Sequence, residues 1–172
     1  LLHGVLGDAL GAVRSLVLIG ATGGIDDQAE RDARARSDRE LASTLLEIGT
    51  PAFIDRWLAN PLFAGLSDEQ ACKAKRLENS AEGMAASLMH CGTGVQVPLW
   101  DRLAEIEIPV LVLAGAGDTK FCALGERLAA GIGDNARFHT IHGGHAVHLE
   151  NPADTAHTVV RWIAEQTPDG SG

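Results

Sequence analysis

Two residues of complementary acid–base character close a pair of strand-like runs in this sequence. Val110-Leu-Val-Leu-Ala-Gly115 leads into Ala-Gly-Asp118, and Ala136-Arg-Phe-His-Thr-Ile141 leads into His-Gly-Gly-His145. A carboxylate beside an imidazole holds the ring in one tautomer, and the ring then moves a proton to or from a nucleophile or a substrate. Asp118 also reads as an ordinary turn residue, because Gly-Asp after a strand is common loop chemistry. His145 has two further readings, a hydrogen-bonded loop histidine or one ligand of a metal set with His142 and His148. Gly143-Gly144 breaks any helix that would align those rings, and no cysteine or carboxylate at ligand spacing completes them, so no metal is expected.

A second group is basic. Arg31, Arg34, Arg36 and Arg39 fall within Glu30 to Leu41 of an otherwise acidic chain. As a solvated helix face, the cluster pairs Glu30 with Arg34 at i,i+4. As a binding face, it offers guanidinium forks to carboxylates in a desolvated pocket. Trp57 and Arg76 read either as a core aromatic and a surface charge or as part of such a pocket. Near the start, Leu1-Leu-His3-Gly4-Val5 has the His-Gly strand exit from which a backbone N–H, that of Val5, would serve an oxyanion hole.

Short apolar runs without alternation are the pattern of parallel strands buried on both faces. Ser15-Leu-Val-Leu-Ile-Gly20 and Val110 to Gly115 fit it, and Ala136 to Ile141 is a weaker third. Asn151-Pro152 supplies an N-cap and a first-turn proline for a last helix to Gln166. Between the first two strands no strand-like run intervenes. Asp27 to Ile48 reads as a helix ending at Gly49, Thr50-Pro51 starts a second through Trp57, Ser67-Asp-Glu-Gln70 is a capping box for a third, and Ser80 begins a fourth that stops near Gly92. This is α/β order with a helical insertion, and the acid and the histidine stand where open α/β sheets bind ligands, beyond the carboxyl ends of the strands.

The chain has 172 residues, a net charge of -9 and 45% hydrophobic residues, which is one globular domain of ordinary size. Its acidity disfavours nucleic acid as a partner, since the phosphate backbone would be repelled. No apolar run approaches the ~20 residues of a membrane span, and no signal peptide is evident. Three cysteines, Cys72, Cys91 and Cys122, make an odd set without ligand spacing and point to a reducing, cytoplasmic compartment.

Taken together, these stretches resemble the 2-succinyl-6-hydroxy-2,4-cyclohexadiene-1-carboxylate synthases of menaquinone biosynthesis, α/β-hydrolase-fold lyases. The resemblance lies in Val13 to Ile25, Glu30-Arg-Asp-Ala-Arg34 with Asp38, Phe53 to Phe63, Gly92-Thr-Gly-Val-Gln-Val-Pro-Leu-Trp100, Gly117-Asp-Thr-Lys-Phe121 and Gly144-His-Ala-Val-His-Leu-Glu-Asn-Pro152. It implies that Asp118 and His145 are triad members, that Arg34 and Arg76 bind substrate carboxylates, and that Trp57 lines the cap side of the pocket. Counting back from Gly83 to Leu88 selects Arg76, whereas counting on from Trp57 lands on Glu78. The family eliminates pyruvate from a succinyl-enolpyruvyl-hydroxycyclohexene carboxylate with a triad serine as base and needs no cofactor.

One departure stands out. No G-x-S-x-G occurs in the 172 residues, and Ser15 lies inside a strand-like run. Gly4 and Ser15 are too close to enclose the two strands, helices and elbow that a full family member carries between the matching segments. The sequence therefore reads as joined across a missing block at about Asp8 and Ala9, with something also missing upstream of Leu1. The expectation is a single α/β-hydrolase domain over 1–172, its parallel sheet truncated or internally deleted, with a helical cap at about 21–107. Leu1 to Gly4 should not pair in parallel beside Ser15 to Gly20, because a parallel crossover needs a dozen or more residues. Without the elbow serine the chain is expected to be inactive. A general esterase, a cofactor-free haloperoxidase-like hydrolase and an inactive remnant are the alternative readings.

Overall fold

The computed structural model describes residues 13–63 and 65–166. They divide into two compact units, one formed by residues 13–23 with 99–166, the other by the described residues of Gly24–Pro98.

The first unit is built on a parallel sheet in the order β1 (Leu16–Ile19), β2 (Val110–Gly115), β3 (Ala136–Ile141). Each strand coincides with one of the three apolar runs. β2 is central and every residue in it is buried, as a polar-free run between two neighbours requires. Its side chains alternate between two layers. Val110 and Val112 pack with Leu16, Leu18, Leu103, Ile106, Leu128 and Ile132. Leu111 and Leu113 point the other way, to Ile141, Val147 and Trp162. The first layer is closed by α4 (Thr119–Ile132), and the second by α5 (Val147–Glu150) and α6 (Pro152–Gln166). β3 is half-buried and alternates, with Arg137 and His139 exposed. Leu1 to Gly4 lie outside the described residues, so their pairing is not part of this description.

The second unit is helical. Its long element, α1 (Gln28–Leu58), is two helical arms meeting at Gly49, where φ is 76° and ψ 164°. Only glycine adopts that conformation freely, and Pro51 then opens the second arm without needing a backbone donor. α1 lays Ala42, Leu45, Phe53 and Ile54 against Ala85 of α3 (Ala81–Cys91), whose N-cap Ser80 accepts the Gly83 N–H at 3.0 Å. The Ser67/Gln70 box forms in both directions, at 2.9 and 3.3 Å, yet it closes a turn rather than a long helix. Cys72 takes a left-handed φ of 48°, and the α-helix that follows, α2, is only Lys73–Arg76.

The helical unit is shorter at both ends than the 21–107 expected of the cap. Leu99, Leu103 and Ile106 are buried in the core beside β1 and β2, and the Leu99 N–H donates to Gly23 O at 2.8 Å. Those residues therefore pack as part of the sheet unit.

Candidate active site

The sheet brings Asp118 and His145 together. β2 ends at Gly115, and Asp118 becomes the N-cap of α4, accepting the Phe121 N–H on Oδ1 at 3.1 Å. Its other oxygen, Oδ2, lies 2.7 Å from His145 Nδ1. One oxygen thus fixes the carboxylate on the helix and the other receives the ring. The pair is separated by 27 residues of sequence and is part-buried, with 13% of the Asp118 side chain and 29% of the His145 side chain exposed. Because Nδ1–H is committed to Asp118, Nε2 is the nitrogen left to exchange a proton, and among the described residues it has no hydrogen-bond partner.

Three neighbours shape the ring's position. Phe121 packs against it with centroids 4.6 Å apart. Gly20, at the end of β1, passes so close that a methyl group there would lie 3.7 Å from His145 Cε1. Gly115 admits no side chain at all, since a Cβ would fall 1.9 Å from Gly144 O, in the loop that carries the histidine. The ends of all three strands therefore converge on the imidazole.

His142 and His148 are exposed and do not join His145 in a cluster able to hold a metal. Cys122, one turn into α4, donates its Sγ–H to Gly115 O at 3.3 Å. Burial pushes its thiol pKa up, and the charges of Asp118 and Glu126 push it further, so it remains a neutral thiol beside the dyad.

The helical unit holds Arg34, Trp57 and Arg76. Arg34 does not pair with Glu30. Its Nε donates to both oxygens of Asp38, at 2.8 and 3.0 Å, one turn along α1 in the opposite direction. Asp38 is buried, and a side chain at Gly92 would strike its Oδ2, so the Gly92-Thr-Gly94 segment seals this pair from one side. A buried carboxylate demands a partner, and the exposed Glu30 does not. The half-exposed Arg34 keeps both terminal nitrogens without partners among the described residues. Arg31 is instead spent on the Ile25 and Asp26 carbonyls, at 2.6 and 2.8 Å.

Trp57 and Arg76 line one cavity of about 200 Å³, with Phe53, Ile54, Met84 and Leu88 among its walls. Trp57 stacks on Phe53 at 6.0 Å. Arg76 is held by its Nε bond to Ala71 O at 2.8 Å. Glu78, the alternative position, is exposed and pairs with Lys75 at 2.6 Å. Arg34 does not line that cavity. Val5 lies outside the described residues.

Reasoning from sequence missed Glu150, whose carboxylate accepts the backbone N–H groups of Gly144 and Ala146 at 2.5 and 3.2 Å. A lone glutamate five residues beyond a glycine-rich histidine loop is its only sequence signal.

No family model matches the chain. Among curated relatives, a Bacillus subtilis protein provisionally named 2-succinyl-6-hydroxy-2,4-cyclohexadiene-1-carboxylate synthase is 37% identical over 145 residues, 81% of this chain and 53% of the relative. The Citrobacter koseri synthase of the same name is 36% identical over 141 residues, 80% of this chain and 54% of the relative. The solved structure of MenH from S. aureus superposes with a TM-score of 0.85 at 31% identity, covering 90% of this chain and 60% of that one. The chain thus spans about half the length of the curated relatives it matches. Over that span it is similar to the 2-succinyl-6-hydroxy-2,4-cyclohexadiene-1-carboxylate synthases and shares the α/β-hydrolase fold.

Proposed function

We propose that this chain supplies the acid–base pair and the carboxylate-recognising residues of a lyase that eliminates pyruvate from 2-succinyl-5-enolpyruvyl-6-hydroxy-3-cyclohexene-1-carboxylate. The observation that carries the reading is the 2.7 Å contact between His145 Nδ1 and Asp118 Oδ2 in a chain with these relatives. In the reaction, a base removes the ring proton beside the succinyl group. The electron pair shifts the ring alkene, the carbon–oxygen bond to the enolpyruvyl group breaks, and the departing enolate takes up a proton as pyruvate. His145 Nε2 would accept the proton of a serine base, and Asp118 would stabilise the imidazolium. Arg34 and Arg76 would bind substrate carboxylates, and Trp57 would cover an apolar part of the substrate. With no G-x-S-x-G in the 172 residues, turnover requires an elbow-bearing segment to be restored.

A general esterase uses the same dyad but has no need of two carboxylate-binding arginines. The two readings separate in a version with the elbow segment of the B. subtilis relative inserted between Asp8 and Ala9. Pyruvate release with a Michaelis constant raised by Arg34→Ala supports the lyase. Strong p-nitrophenyl ester hydrolysis, with turnover indifferent to Arg34→Ala, supports the esterase.

A further inference from the structure

The loop that carries His145 has little of its own to hold it. Gly143 and Gly144 precede the histidine, and Gly143 has a φ of 145°, so neither side-chain packing nor steric restriction fixes this backbone. Yet the ring must meet Asp118 at hydrogen-bond distance. The Gly143–Gly144 and His145–Ala146 peptide groups, which flank the Gly144–His145 peptide, are both tied to one carboxylate. The Gly144 N–H donates to Glu150 Oε2 at 2.5 Å, and the Ala146 N–H donates to Glu150 Oε1 at 3.2 Å.

Glu150 is itself well placed to act as an anchor. It ends α5, whose Val147 is fully buried in the core, and its own N–H returns to Ala146 O at 3.0 Å. The Gly117 N–H to Gly143 O bond, at 2.9 Å, fixes the loop on its other side. Bonds from N–H groups to an ionised carboxylate are about twice as strong as neutral ones, and two of them, on the peptide planes that flank the Gly144–His145 peptide, restrain the backbone from which the His145 side chain departs.

We propose that Glu150 is the positioning residue of His145, orienting the imidazole toward Asp118 by holding the Gly144 and Ala146 N–H groups of the loop that carries it. The proposal rests on the reading of Asp118 and His145 as an acid–base pair, and it assigns Glu150 no contact with substrate. Neither glutamine nor aspartate reproduces the arrangement. Glutamine offers one acceptor oxygen and a donor in place of the other. Aspartate is a methylene too short to reach both N–H groups.

Proton NMR of the 172-residue chain tests this without any turnover. The unsubstituted chain should show a His145 Nδ1–H resonance downfield of the amide envelope, removed by Asp118→Ala. In folded Glu150→Gln the resonance should be lost to exchange with water, and in Glu150→Asp it should broaden and move upfield. If the resonance is present in the unsubstituted chain and keeps its position and width in Glu150→Gln, Glu150 is structural only and the proposal fails while the dyad stands. Should Glu150→Gln not fold, an unchanged resonance in Glu150→Asp overturns the proposal equally. Absence of the resonance from the unsubstituted chain overturns the dyad and the proposal with it.

Discussion

Asp118 holds His145 Nδ1 at 2.7 Å with one carboxylate oxygen while the other caps the helix that Asp118 itself begins. The cap immobilises the carboxylate independently of the histidine, so the pair needs no further side chain to orient its acid. The negative charge also sits at the positive end of α4, where it is favourable.

These two duties separate by substitution. Asp118→Ala removes both, and the lost cap should cost about 1 kcal/mol in urea denaturation. Asp118→Asn keeps a capping oxygen and should cost only a few tenths of a kcal/mol, while still removing the charged acceptor of Nδ1–H. Equal destabilisation by the two variants would contradict the capping role.

Gly115 is where β2 meets the His145 loop backbone to backbone. Gly115→Ala would place a methyl 1.9 Å from Gly144 O, and neither strand nor loop can yield without losing its hydrogen bonds. Destabilisation of at least about 2 kcal/mol is expected, read as a lower denaturation midpoint. A midpoint equal to that of the unsubstituted chain would show that the loop moves freely.

The Asp38 bond uses only Nε of Arg34, and the terminal nitrogens have no partner among the described residues. Arg34→Lys replaces that fork with a single ammonium drawn to the same buried carboxylate. Calorimetric titration with 2-succinyl-6-hydroxy-2,4-cyclohexadiene-1-carboxylate should then show roughly tenfold weaker binding, about 1.4 kcal/mol. Unchanged affinity would remove Arg34 from the recognition of carboxylates.

Cys122 is half-buried and its thiol pKa is raised, whereas Cys72 and Cys91 are exposed. Less thiolate means slower alkylation, so iodoacetamide at pH 8 should modify Cys122 roughly tenfold more slowly than the other two, as read by peptide mass. The sign of the linkage follows. A folded chain that holds this proton more tightly keeps the thiol's contribution to stability below the ordinary thiol range and loses it as pH rises through the raised value. Alkylation of Cys122 at the rate of Cys72 would contradict both statements.

The sequence displayed the strands because each is written in contiguous residues, and it set Asp118 and His145 just beyond two of their ends. β2 is an unbroken apolar run, and Asp118 and His145 follow strand ends directly. Other features depend on partners that spacing leaves ambiguous. Arg34 has a carboxylate one turn away on either side, and only the burial of Asp38 beneath Gly92 selects it over Glu30. Glu150 acts through backbone N–H groups, which have no letter in the sequence. Leu99, Leu103 and Ile106 look like the continuation of a helical insertion until their burial against β1 and β2 assigns them to the sheet.

Pyruvate release from the enolpyruvyl substrate, with and without His145→Ala, tests the central claim most directly. None is expected from the 172-residue chain, confirmed by intact mass, because its sequence holds no G-x-S-x-G and triad members act as a unit. Release is expected once an elbow-bearing segment is inserted, with near-complete loss of it in His145→Ala. Release from the 172 residues alone that His145→Ala abolishes would contradict the claim, as would a version with the insert whose turnover ignores His145.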